Sequence, residues 1–547
     1  MMNDYILFNK QRFAAILFLL IAGVLFAAAT NAQSIAARQT TLLQTGAPEL
    51  FDFAELQMLF AKETVPPALS GKLNRLLTVP FVDNSQTAPA RLSASPQLGE
   101  FLRVACWNIE RGIEFDAIAA AFGDEAEFAA MLDPQRFPLN SKERREVLEQ
   151  ATALRAADVI VLNEVDWGMR RTDYRHVAQD LARRLGMNYA FGVQFVELSP
   201  VGYSLEPAHA DQEENEILEQ IRVDPARYKG LHGVAVLSRF KLENVRLVPF
   251  KEQPYDWYKG EKTGASPLEN GKRMLSKAVF LEQTTREVRR GGRSALLADI
   301  ADTRFPGGRV TIAATHLENR AKPAGRVKQL EELLGTIREI RHPVVVAGDM
   351  NTSTSDLTPT SLRRVLTQRY GNPKFWAQKA VSYWLGFGLV EESLMFAVTF
   401  GRKQNDPTVC DIQFFSPNPG RRFFATLKNF RFNDGSAFDF RGDPRRSTGN
   451  RGKTLSASNE RARKGFVTTY EVTRPIAFVG KNKLDWFFVK PARLTDPTDR
   501  RQSYVFAPHF GRTLARLNEA IEERISDHRP LIVDLPLVEP PLGANKR

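Results

Sequence analysis

The chain has 547 residues, 43% hydrophobic and 25% charged, so it can bury a large core, and coiled-coil, collagen-like and globally disordered classes are excluded. Lys and Arg number 75 against 63 Asp and Glu, and the formal net charge of +12 favours anionic partners such as nucleic acid, phosphoesters or lipid headgroups. Two cysteines, Cys106 and Cys410, are too few for a disulfide framework or a thiolate zinc site. We expect both thiols to be buried and unpaired, with a disulfide as the alternative, and we expect any metal to be held by oxygen and histidine ligands.

The first 32 residues resemble a signal peptide. Lys10 and Arg12 precede an uncharged apolar run, Phe13 to Ala29, and small residues follow where a signal peptidase would cut. The pattern predicts export, with a secreted or periplasmic mature protein that begins near Gln33. Because the apolar run is slightly long for a signal core, an uncleaved membrane anchor is the alternative.

Residues 33–98 are predicted to be a leader and linker, with one helix around Phe51 to Lys62. After Gly99 the pattern changes to short apolar strands that alternate with helices. The strands are predicted at 102–108, 159–162, 233–237, 310–315, 344–347, 484–489 and 531–535, and the helices at 141–157, 176–185 and 325–341. Strands that are apolar on both faces, with helices between them, predict a layered α/β domain over 99–536, followed by a C-terminal tail over 537–547.

Four stretches interrupt this alternation and are predicted to be insertions, near 197–231, 251–274, 370–396 and 416–465. Within the last one, Ser436 to Gly465 (the basic segment) carries eight basic against three acidic residues among many Gly and Ser. This composition predicts a segment without a core of its own, either a solvated loop or an electrostatic guide for a polyanionic substrate. The aromatic stretch Phe375 to Phe387 favours a helix packed on the domain, with an interfacial wedge for lipid as the alternative.

Polar side chains with metal-binding or catalytic chemistry lie where the predicted strands end. Asn108 and Glu110 are two residues apart in extended chain, so both side chains emerge on the same face and can approach one cation. Glu164 ends an otherwise apolar strand, where a carboxylate is costly unless it is paired or binds a metal. Asp349 and Asn351 repeat the two-residue spacing, with a carboxylate able to orient water and an amide able to bind a phosphoryl oxygen.

Two histidines and two further acids complete this set. His316 follows one predicted strand, Asp485 begins another, and Asp527 and His528 stand together just before the last one. Each motif alone is more often a turn or a helix cap than a site, because short polar side chains satisfy backbone groups at element ends. The ordered set of five acid-bearing strand ends with two imidazoles is what favours a site.

The ordered motifs resemble those of the endonuclease/exonuclease/phosphatase superfamily, the metal-dependent DNase I-like fold. The resemblance spans about Phe101 to Pro536 and depends on seven motifs: Trp107-Asn108-Ile109-Glu110, Leu162-Asn163-Glu164, Ala235-Val236-Leu237-Ser238-Arg239, Thr315-His316-Leu317, Gly348-Asp349-Met350-Asn351, Leu484-Asp485-Trp486 and Ser526-Asp527-His528-Arg529-Pro530. It implies a four-layer α/β sandwich, with two mixed β-sheets packed face to face and helices outside. The active site would lie at one edge of the sandwich.

The resemblance also implies roles for individual residues. Glu164 would be the main metal ligand, and the full ligand set would be Asn108, Glu110, Glu164 and Asp527. Asp349 would position the attacking water, His316 would contact phosphate or donate a proton, and Asp485 would orient His528 and raise its pKa. The residues that contact substrate would be Asn108, Arg239, Asn351 and His528.

Two positions depart from the usual pattern of the family, because Asn163 stands where Gln is common and Val234 where Asn is common. The expected cofactor is Mg²⁺, with Mn²⁺ as the alternative. The expected activity is phosphodiester hydrolysis on a phosphate-containing substrate, with nucleic acid slightly favoured by the positive charge. The alternatives are a sphingomyelinase-like or small-metabolite phosphatase and a non-catalytic binding protein on the same fold.

Overall fold

The computed structural model describes residues 46–86, 92–198, 223–262, 287–352, 420–462, 465–476, 479–522 and 524–541. The larger sheet has nine strands, with β1-β5-β6-β4-β3-β18-β17 side by side, β2 paired with β3, and β8 paired with β5. Its strands are β1 Phe81–Asp83, β2 Ser93–Ser95, β3 Gly99–Arg111, β4 Val159–Trp167, β5 Asn188–Glu197, β6 Leu231–Ser238, β8 Arg289–Gly291, β17 His509–Thr513 and β18 Leu531–Pro536. β3 and β4 are parallel, and their neighbours are antiparallel, so the sheet is mixed.

The second sheet has five strands in the order β16-β11-β10-β9-β7. They are β7 Leu242–Pro249, β9 Ser294–Ala301, β10 Arg309–His316, β11 Val344–Asp349 and β16 Asp485–Lys490. β10 and β11 are parallel, and the other pairs are antiparallel. Two short hairpins pair β12 Arg461–Ala462 with β13 Gly465–Phe466 and β14 Tyr470–Ile476 with β15 Val479–Asn482.

Helices cover the outer faces of both sheets. They are α1 Phe53–Ala61, α2 Pro67–Thr78, α3 Phe115–Phe122, α4 Glu125–Met131, α5 Lys142–Arg155, α6 Val177–Leu185, α7 Trp257–Lys262, α8 Pro323–Ile337, α9 Arg421–Asn429 and α10 Ala515–Asn518, with short 3-10 turns at Arg170–Thr172, Pro306–Gly308 and Thr448–Asn450. Two predicted helix ends are confirmed, and capping residues explain both. Ser141 caps the beginning of α5 by accepting a hydrogen bond from the Arg144 N–H at 3.0 Å, and Gly186 ends α6 in the left-handed conformation.

Three apolar layers separate the four layers of secondary structure. Alternate side chains of the two sheets, such as Val161 and Ile312, meet in the middle layer. The opposite face of the larger sheet packs on α3, α5 and α6, and the opposite face of the smaller sheet packs on α8 and α9. This is the four-layer α/β sandwich that the resemblance implies.

The prediction of a leader and linker over 33–98 is wrong for most of that range. From Pro48 onward the chain belongs to the same compact unit as the sandwich. β1 pairs with β5 in the register Phe81 with Phe191, β2 pairs with β3, and Phe51, Leu59 and Leu76 are buried in the core. Short apolar segments of this kind have too few residues to be recognised as strands from sequence, but they protect the edge of a sheet.

The basic segment also differs from its prediction, because it contributes to a core and pairs its own charges. Phe438, Phe440 and Leu455 are buried against the outer face of the smaller sheet. Arg441 is buried and binds the Asp439 carboxylate, and Arg446 is buried and binds Asp443. Both guanidinium groups lie over the Tyr504 ring, at 3.8 and 3.2 Å from its centroid.

The buried ion pairs of Arg441 and Arg446 lie at the far end of the sandwich from the predicted site. Asp439 donates its N–H to Val489 near the end of β16, whereas Asp485 begins that strand. Arg446 contacts His509, which is in register with Asp534 and through it with Arg103 at the beginning of β3. The prediction of an electrostatic guide is therefore not supported by the arginines that are buried there.

Several predictions fall on residues outside the described ranges: the signal peptide, the stretch 370–396 with its aromatic residues, and Cys410. Cys106 is buried in the middle layer without a disulfide partner among the described residues. None of the described helices is long and apolar enough to cross a membrane.

Candidate active site

Strand direction and register bring the predicted site residues to one edge of the sandwich. Asn108 on β3 is opposite Asn163 on the parallel strand β4, so Glu110 and Glu164 follow at the same edge. In the smaller sheet, Asp349 at the end of β11 is opposite both His316 and Asp485. The loop before β18, with Asp527 and His528, completes the cluster, because β18 is antiparallel to β3.

Three of these residues have strained backbones. Glu110, Glu164 and Asn351 have φ angles of 46°, 53° and 45°, in the left-handed region that non-glycine residues rarely adopt. Glu110 and Glu164 each lie in a register shift, between Asn108 and Arg111 and between Asn163 and Val165. Such bulges turn a side chain away from the regular alternation, and strain of about 1–3 kcal/mol per residue is typical of functional sites.

The Asn108 amide links the two sheets at the centre of the cluster. Its Nδ2 donates to Glu164 Oε1 at 3.1 Å and to Asp349 Oδ2 at 3.3 Å, and its Oδ1 accepts from the Glu110 N–H at 3.2 Å. Asn108 is fully buried, whereas Glu110 and Glu164 are partly exposed. Both amide hydrogens are therefore used on carboxylates, and the oxygen remains the atom that can face a cation.

Asp349 is the point on which the smaller-sheet residues converge. His316 Nε2 lies 3.5 Å and His528 Nε2 lies 3.7 Å from Asp349 Oδ2. The other oxygen, Oδ1, accepts the Asn351 N–H at 2.8 Å, and Asn351 Nδ2 donates to the Leu317 carbonyl at 2.9 Å. One of the two amide hydrogens of Asn351 is thus still available for a substrate oxygen.

His528 is held from both sides. Its Nδ1 lies 2.7 Å from Asp485 Oδ2, its N–H donates to Ser526 Oγ at 3.1 Å, and its carbonyl accepts from the Trp107 indole at 2.9 Å. Ser526 Oγ donates in turn to the Asn108 carbonyl at 2.8 Å. Asp485, 43 positions away in sequence, therefore fixes the ring, and Trp107 and Ser526 hold the His528 backbone.

The carboxylates near Asn108 have opposite pKa shifts. Burial raises the pKa of Asp527 to about 8, with help from Glu110 and Glu164, and burial also raises that of Glu110. Burial opposes ionisation of Glu164 as well, but His316 and His232 outweigh it and lower its pKa. Two acids that resist ionisation beside a third that is ionised make a donor set that a divalent cation would stabilise.

The two histidines beside Asp349 also differ in charge. Burial opposes protonation of His528, but Asp485 and Asp527 outweigh it and raise its pKa well above the ordinary value, as the predicted pairing requires. Burial lowers the pKa of His316 far below that value, and its buried Nδ1 has no hydrogen-bond partner among the described residues. Burial raises the pKa of Asp349 to about 6, an effect that His528 opposes.

Asp349, Asp485 and His528 also form a cluster whose candidate ligand atoms all lie within 4.8 Å of one another. His528 Nδ1 and Asp485 Oδ2 are already joined by their hydrogen bond, and on the other side of the ring His528 Nε2 lies 3.7 Å from Asp349 Oδ2. This group has the composition of a proton-handling and phosphate-binding cluster, and Glu110, Glu164, Asp527 and Asn108 have that of a site for a hard cation.

Arg239 is not part of this cluster. β6 is antiparallel to β4, with Ser238 opposite Val159 at the beginning of β4, so the residue after Ser238 lies at the opposite edge. There Arg239 donates its Nε to Ala157 O at 3.2 Å and its Nη2 to Arg155 O at 3.1 Å. The prediction that Arg239 contacts substrate is wrong, because the motif that carries it runs away from the site.

Two residues at the site were missed in the sequence. Asn163 joins the sheets, because its Nδ2 donates to Thr315 O at 3.1 Å and its Oδ1 accepts the Asp349 N–H at 2.9 Å. Thr469 Oγ1 accepts the N–H groups of Leu484 and Asp485 at 3.0 and 3.1 Å. A buried amide at the end of an apolar strand was a usable signal for Asn163, but nothing local marks Thr469.

A family comparison agrees with this geometry. The model of the "Endonuclease/Exonuclease/phosphatase family" matches residues 105–528, which include every member of the cluster described above. The chain belongs to this family. Members of the endonuclease/exonuclease/phosphatase family are generally hydrolytic phosphoesterases and are generally dependent on a divalent metal.

Among solved structures, the chain is similar to an endonuclease/exonuclease/phosphatase from Beutenbergia cavernae, with 17% identity, a TM-score of 0.35, and coverage of 80% of this chain and 72% of that one. It is also similar to the human Nocturnin catalytic domain, with 14% identity, a TM-score of 0.32, and coverage of 79% and 92%. An AP endonuclease from Archaeoglobus fulgidus has 13% identity, a TM-score of 0.33, and coverage of 79% and 99%. Among curated proteins, none matches the chain.

Proposed function

We propose that this protein is a divalent-metal-dependent phosphoesterase that hydrolyses phosphodiester bonds by direct attack of water. The observation that carries the proposal is the Asn108 amide, which joins Glu164 at 3.1 Å to Asp349 at 3.3 Å. The bridge holds Glu164, which can bind a cation, close to Asp349, which can accept a proton from water. A non-catalytic binding protein would need no such coupling between two sheets.

The metal ligands in this proposal are Glu164, Glu110, Asp527 and the Asn108 oxygen. The raised pKa of Asp527 and of Glu110 supports this set, because a nearby dication would favour ionisation of both. A bound Mg²⁺ or Mn²⁺ would supply charge neutralisation at a non-bridging phosphoryl oxygen. Hard oxygen ligands are those that Mg²⁺ prefers.

Side chains of the protein activate the water and stabilise the phosphoryl group. Asp349 accepts a hydrogen bond from the attacking water and takes its proton as the new phosphorus–oxygen bond forms. The protonated His528 and the free amide hydrogen of Asn351 donate to the phosphoryl oxygens, where negative charge grows. The bond to the leaving oxygen breaks, and that oxygen takes a proton from solvent or from His528. The neutral His316 contacts the phosphate and is a poor proton donor.

Nucleic acid is the first substrate class in this proposal because of the formal net charge of +12. The basic segment no longer supports it, since Arg441 and Arg446 are paired and buried. A phospholipid or a small phosphorylated metabolite is the alternative substrate.

Export through residues 1–32 is a separate proposal, which mass spectrometry of the mature N-terminus tests. A chain that begins near Gln33 supports it, and an intact Met1 in the membrane fraction contradicts it.

The deciding experiment is hydrolysis by the purified protein with Mg²⁺ on plasmid DNA, RNA, sphingomyelin, inositol phosphates and a chromogenic phosphodiester. We expect turnover on at least one diester, a loss of about a thousandfold in kcat for Asp349→Ala, and no turnover in EDTA. Hydrolysis of monoesters alone would favour the phosphatase alternative. Absence of turnover on every substrate, with metal bound, would contradict the proposal.

Metal binding has a readout that is independent of turnover. Mg²⁺ or Mn²⁺ should raise the melting temperature of the parent chain, because a ligand that binds only the folded state stabilises it. Glu164→Gln should abolish that rise. The matched control is Glu331→Gln, which changes an exposed glutamate on α8 and should leave the rise intact. Equal rises in both variants would argue against a metal at Glu164.

A further inference from the structure

A pocket of about 450 Å³ opens at the edge of the sandwich opposite the candidate active site, and three arginines line it: Arg155, Arg184 and Arg239. Arg155 is the last residue of α5, Arg184 lies in the last turn of α6, and Arg239 directly follows β6. Because Ser238 is opposite Val159 at the beginning of β4, this end of β6 lies away from Glu164. Three separate elements therefore bring guanidinium groups to one pocket.

Arg239 has no acidic partner in this pocket. Its Nε and Nη2 donate to the carbonyls of Ala157 and Arg155 at 3.2 and 3.1 Å. Among the described residues, no carboxylate oxygen lies within 4.0 Å of its nitrogen atoms, and its Nη1 makes no hydrogen bond. A carbonyl accepts a hydrogen bond without neutralising a charge, so this partly buried guanidinium group still lacks a counter-ion.

The other two arginines are paired with exposed acids. Arg155 Nη2 donates to Glu125 Oε2 at 2.6 Å, whereas its Nη1 is buried without a partner among the described residues. Arg184 Nη2 donates to Glu127 Oε1. The side chains of Glu125 and Glu127 are 59% and 41% exposed, so both can turn into solvent when a stronger anion binds.

The remaining walls of the pocket are largely apolar. Phe122, Ile160 and Met187 are buried, and Leu185 is partly buried. Asp124 also lines the pocket, but its Oδ1 already accepts two N–H groups at the beginning of α4. Cationic groups beside an apolar wall suit a ligand that joins an anionic group to an apolar or aromatic body.

We propose that this pocket is a second ligand site, which binds a small phosphomonoester. The phosphate would contact the three arginines, and the organic body would lie against Phe122 and Met187. The planar fork of a guanidinium group can donate to two phosphate oxygens at once, and several such groups suit a dianion better than a monovalent carboxylate. The site is distant from the candidate active site, and its existence does not depend on the proposed phosphoesterase function.

The test is isothermal titration calorimetry of the full chain in EDTA with phenyl phosphate and with adenosine monophosphate. EDTA prevents the metal-dependent hydrolysis proposed above, so both probes stay intact. We expect each to bind about tenfold more tightly than inorganic phosphate, because the organic body leaves water as well. Arg184→Gln should weaken the binding of both probes about tenfold, because a charge-assisted hydrogen bond is lost.

Arg183→Gln is the matched control. Arg183 is the neighbour of Arg184 on α6, its side chain is 68% exposed, and it does not line the pocket. Removing its charge should leave the dissociation constants within about twofold of the parent, since net charge alone has little effect on a local contact at physiological salt. Equal weakening in the two variants would overturn the site, because the effect would then come from net charge.

Asn351→Ala separates this pocket from the candidate active site. Binding in EDTA should stay within about twofold of the parent, because Asn351 lies at the other edge of the sandwich. Loss of binding in Asn351→Ala with none in Arg184→Gln would place the ligand at the active site and overturn the inference. So would probes that bind no more tightly than inorganic phosphate. Because no measurement uses turnover, failure of the proposed function would leave these results unchanged.

Discussion

The ionisation and hydrogen bonding of individual side chains at this site are set by their neighbours. Basic side chains beside Glu164 lower its pKa against the effect of burial, whereas burial beside other acids raises the pKa of Asp527. Asn163 and Asn108 satisfy the backbone and carboxylate groups between the two sheets.

Asn163→Ala should destabilise the protein by about 2–4 kcal/mol, because it removes two buried hydrogen bonds, to the Thr315 carbonyl and from the Asp349 N–H. It should also lower kcat, because the Asp349 backbone loses its anchor. Asn163→Gln keeps both amide groups but adds a methylene in a buried place, so its loss should be smaller. Denaturant unfolding and steady-state kinetics measure both effects, and an Ala variant with parental stability would contradict this account.

Asp527→Asn should alter the pH dependence of stability of the metal-free protein. The pKa of Asp527 is raised in the folded state, to about 8 from 3.8, so the folded state binds more protons and the stability of the parent falls as pH rises from about 4 to 8. The Asn variant should lack this part of the decline, and added Mg²⁺ should reduce it in the parent. Melting temperatures from pH 5 to 8 with and without metal measure this, and parallel curves for both proteins would contradict it.

The register of the paired strands places residues that are distant in sequence at one edge of the sandwich. The parallel pair β10 and β11 ends at Asp349, which is opposite His316, and this pairing requires close approach at Gly348. Gly348 has a φ of 147°, and a Cβ at this position would collide with the Thr315 carbonyl oxygen. The glycine is therefore required by the contact between strands and not by a turn.

Gly348→Ala should destabilise the fold by more than about 3 kcal/mol and abolish turnover, because β11 must move away from β10 beside Asp349. The matched control is Gly335→Ala on α8, where an added Cβ meets nothing within 4 Å. That variant should be slightly stabilised, by about 0.5–1 kcal/mol, because alanine favours helix. Melting temperatures of the two variants test this contrast, which equal shifts would contradict.

Across the whole chain, positive charge is spread widely, and part of it is structural. The buried arginines of the basic segment stack on Tyr504 and bind their own acids, so they connect the insertion to the sandwich at the edge opposite the site. Net charge alone therefore cannot identify a nucleic-acid surface. What matters is which cations are exposed and where they lie.

Arg446→Ala should destabilise the protein by about 2–4 kcal/mol, because it leaves Asp443 without its buried partner. Arg451→Ala, at an exposed position of the same segment, should be neutral within about 0.5 kcal/mol. If DNA is a substrate, replacing the exposed Arg445, Arg451 and Lys453 with Ser should leave the salt dependence of kcat/KM unchanged, since this part of the segment adjoins Arg446 and His509 at the end opposite the site. A slope lower by about three units would restore the electrostatic guide.

Local patterns in the sequence predicted most of the strands, the helices between them and the polar residues at the strand ends. The spacing of apolar residues, the helix-capping residues and the carboxylates at the ends of apolar strands all depend on a few neighbouring residues. They can therefore be recognised without knowledge of the fold. The set of Asn108, Glu110, Glu164, His316, Asp349, Asn351, Asp485, Asp527 and His528 was predicted on that ground and through the family resemblance, and the structure brings all nine to one edge.

Tertiary structure was needed wherever the answer depends on which distant segments meet. The antiparallel direction of β6 places Arg239 at the opposite edge, and pairing with β5 makes residues 81–83 part of the sheet. Arg441 and Arg446, which the sequence places in a charged loop, are buried against Tyr504. The bridge of Asn163 to Thr315 spans 152 positions in sequence. Contacts of that kind depend on register and packing across the whole sandwich, which no short stretch of sequence contains.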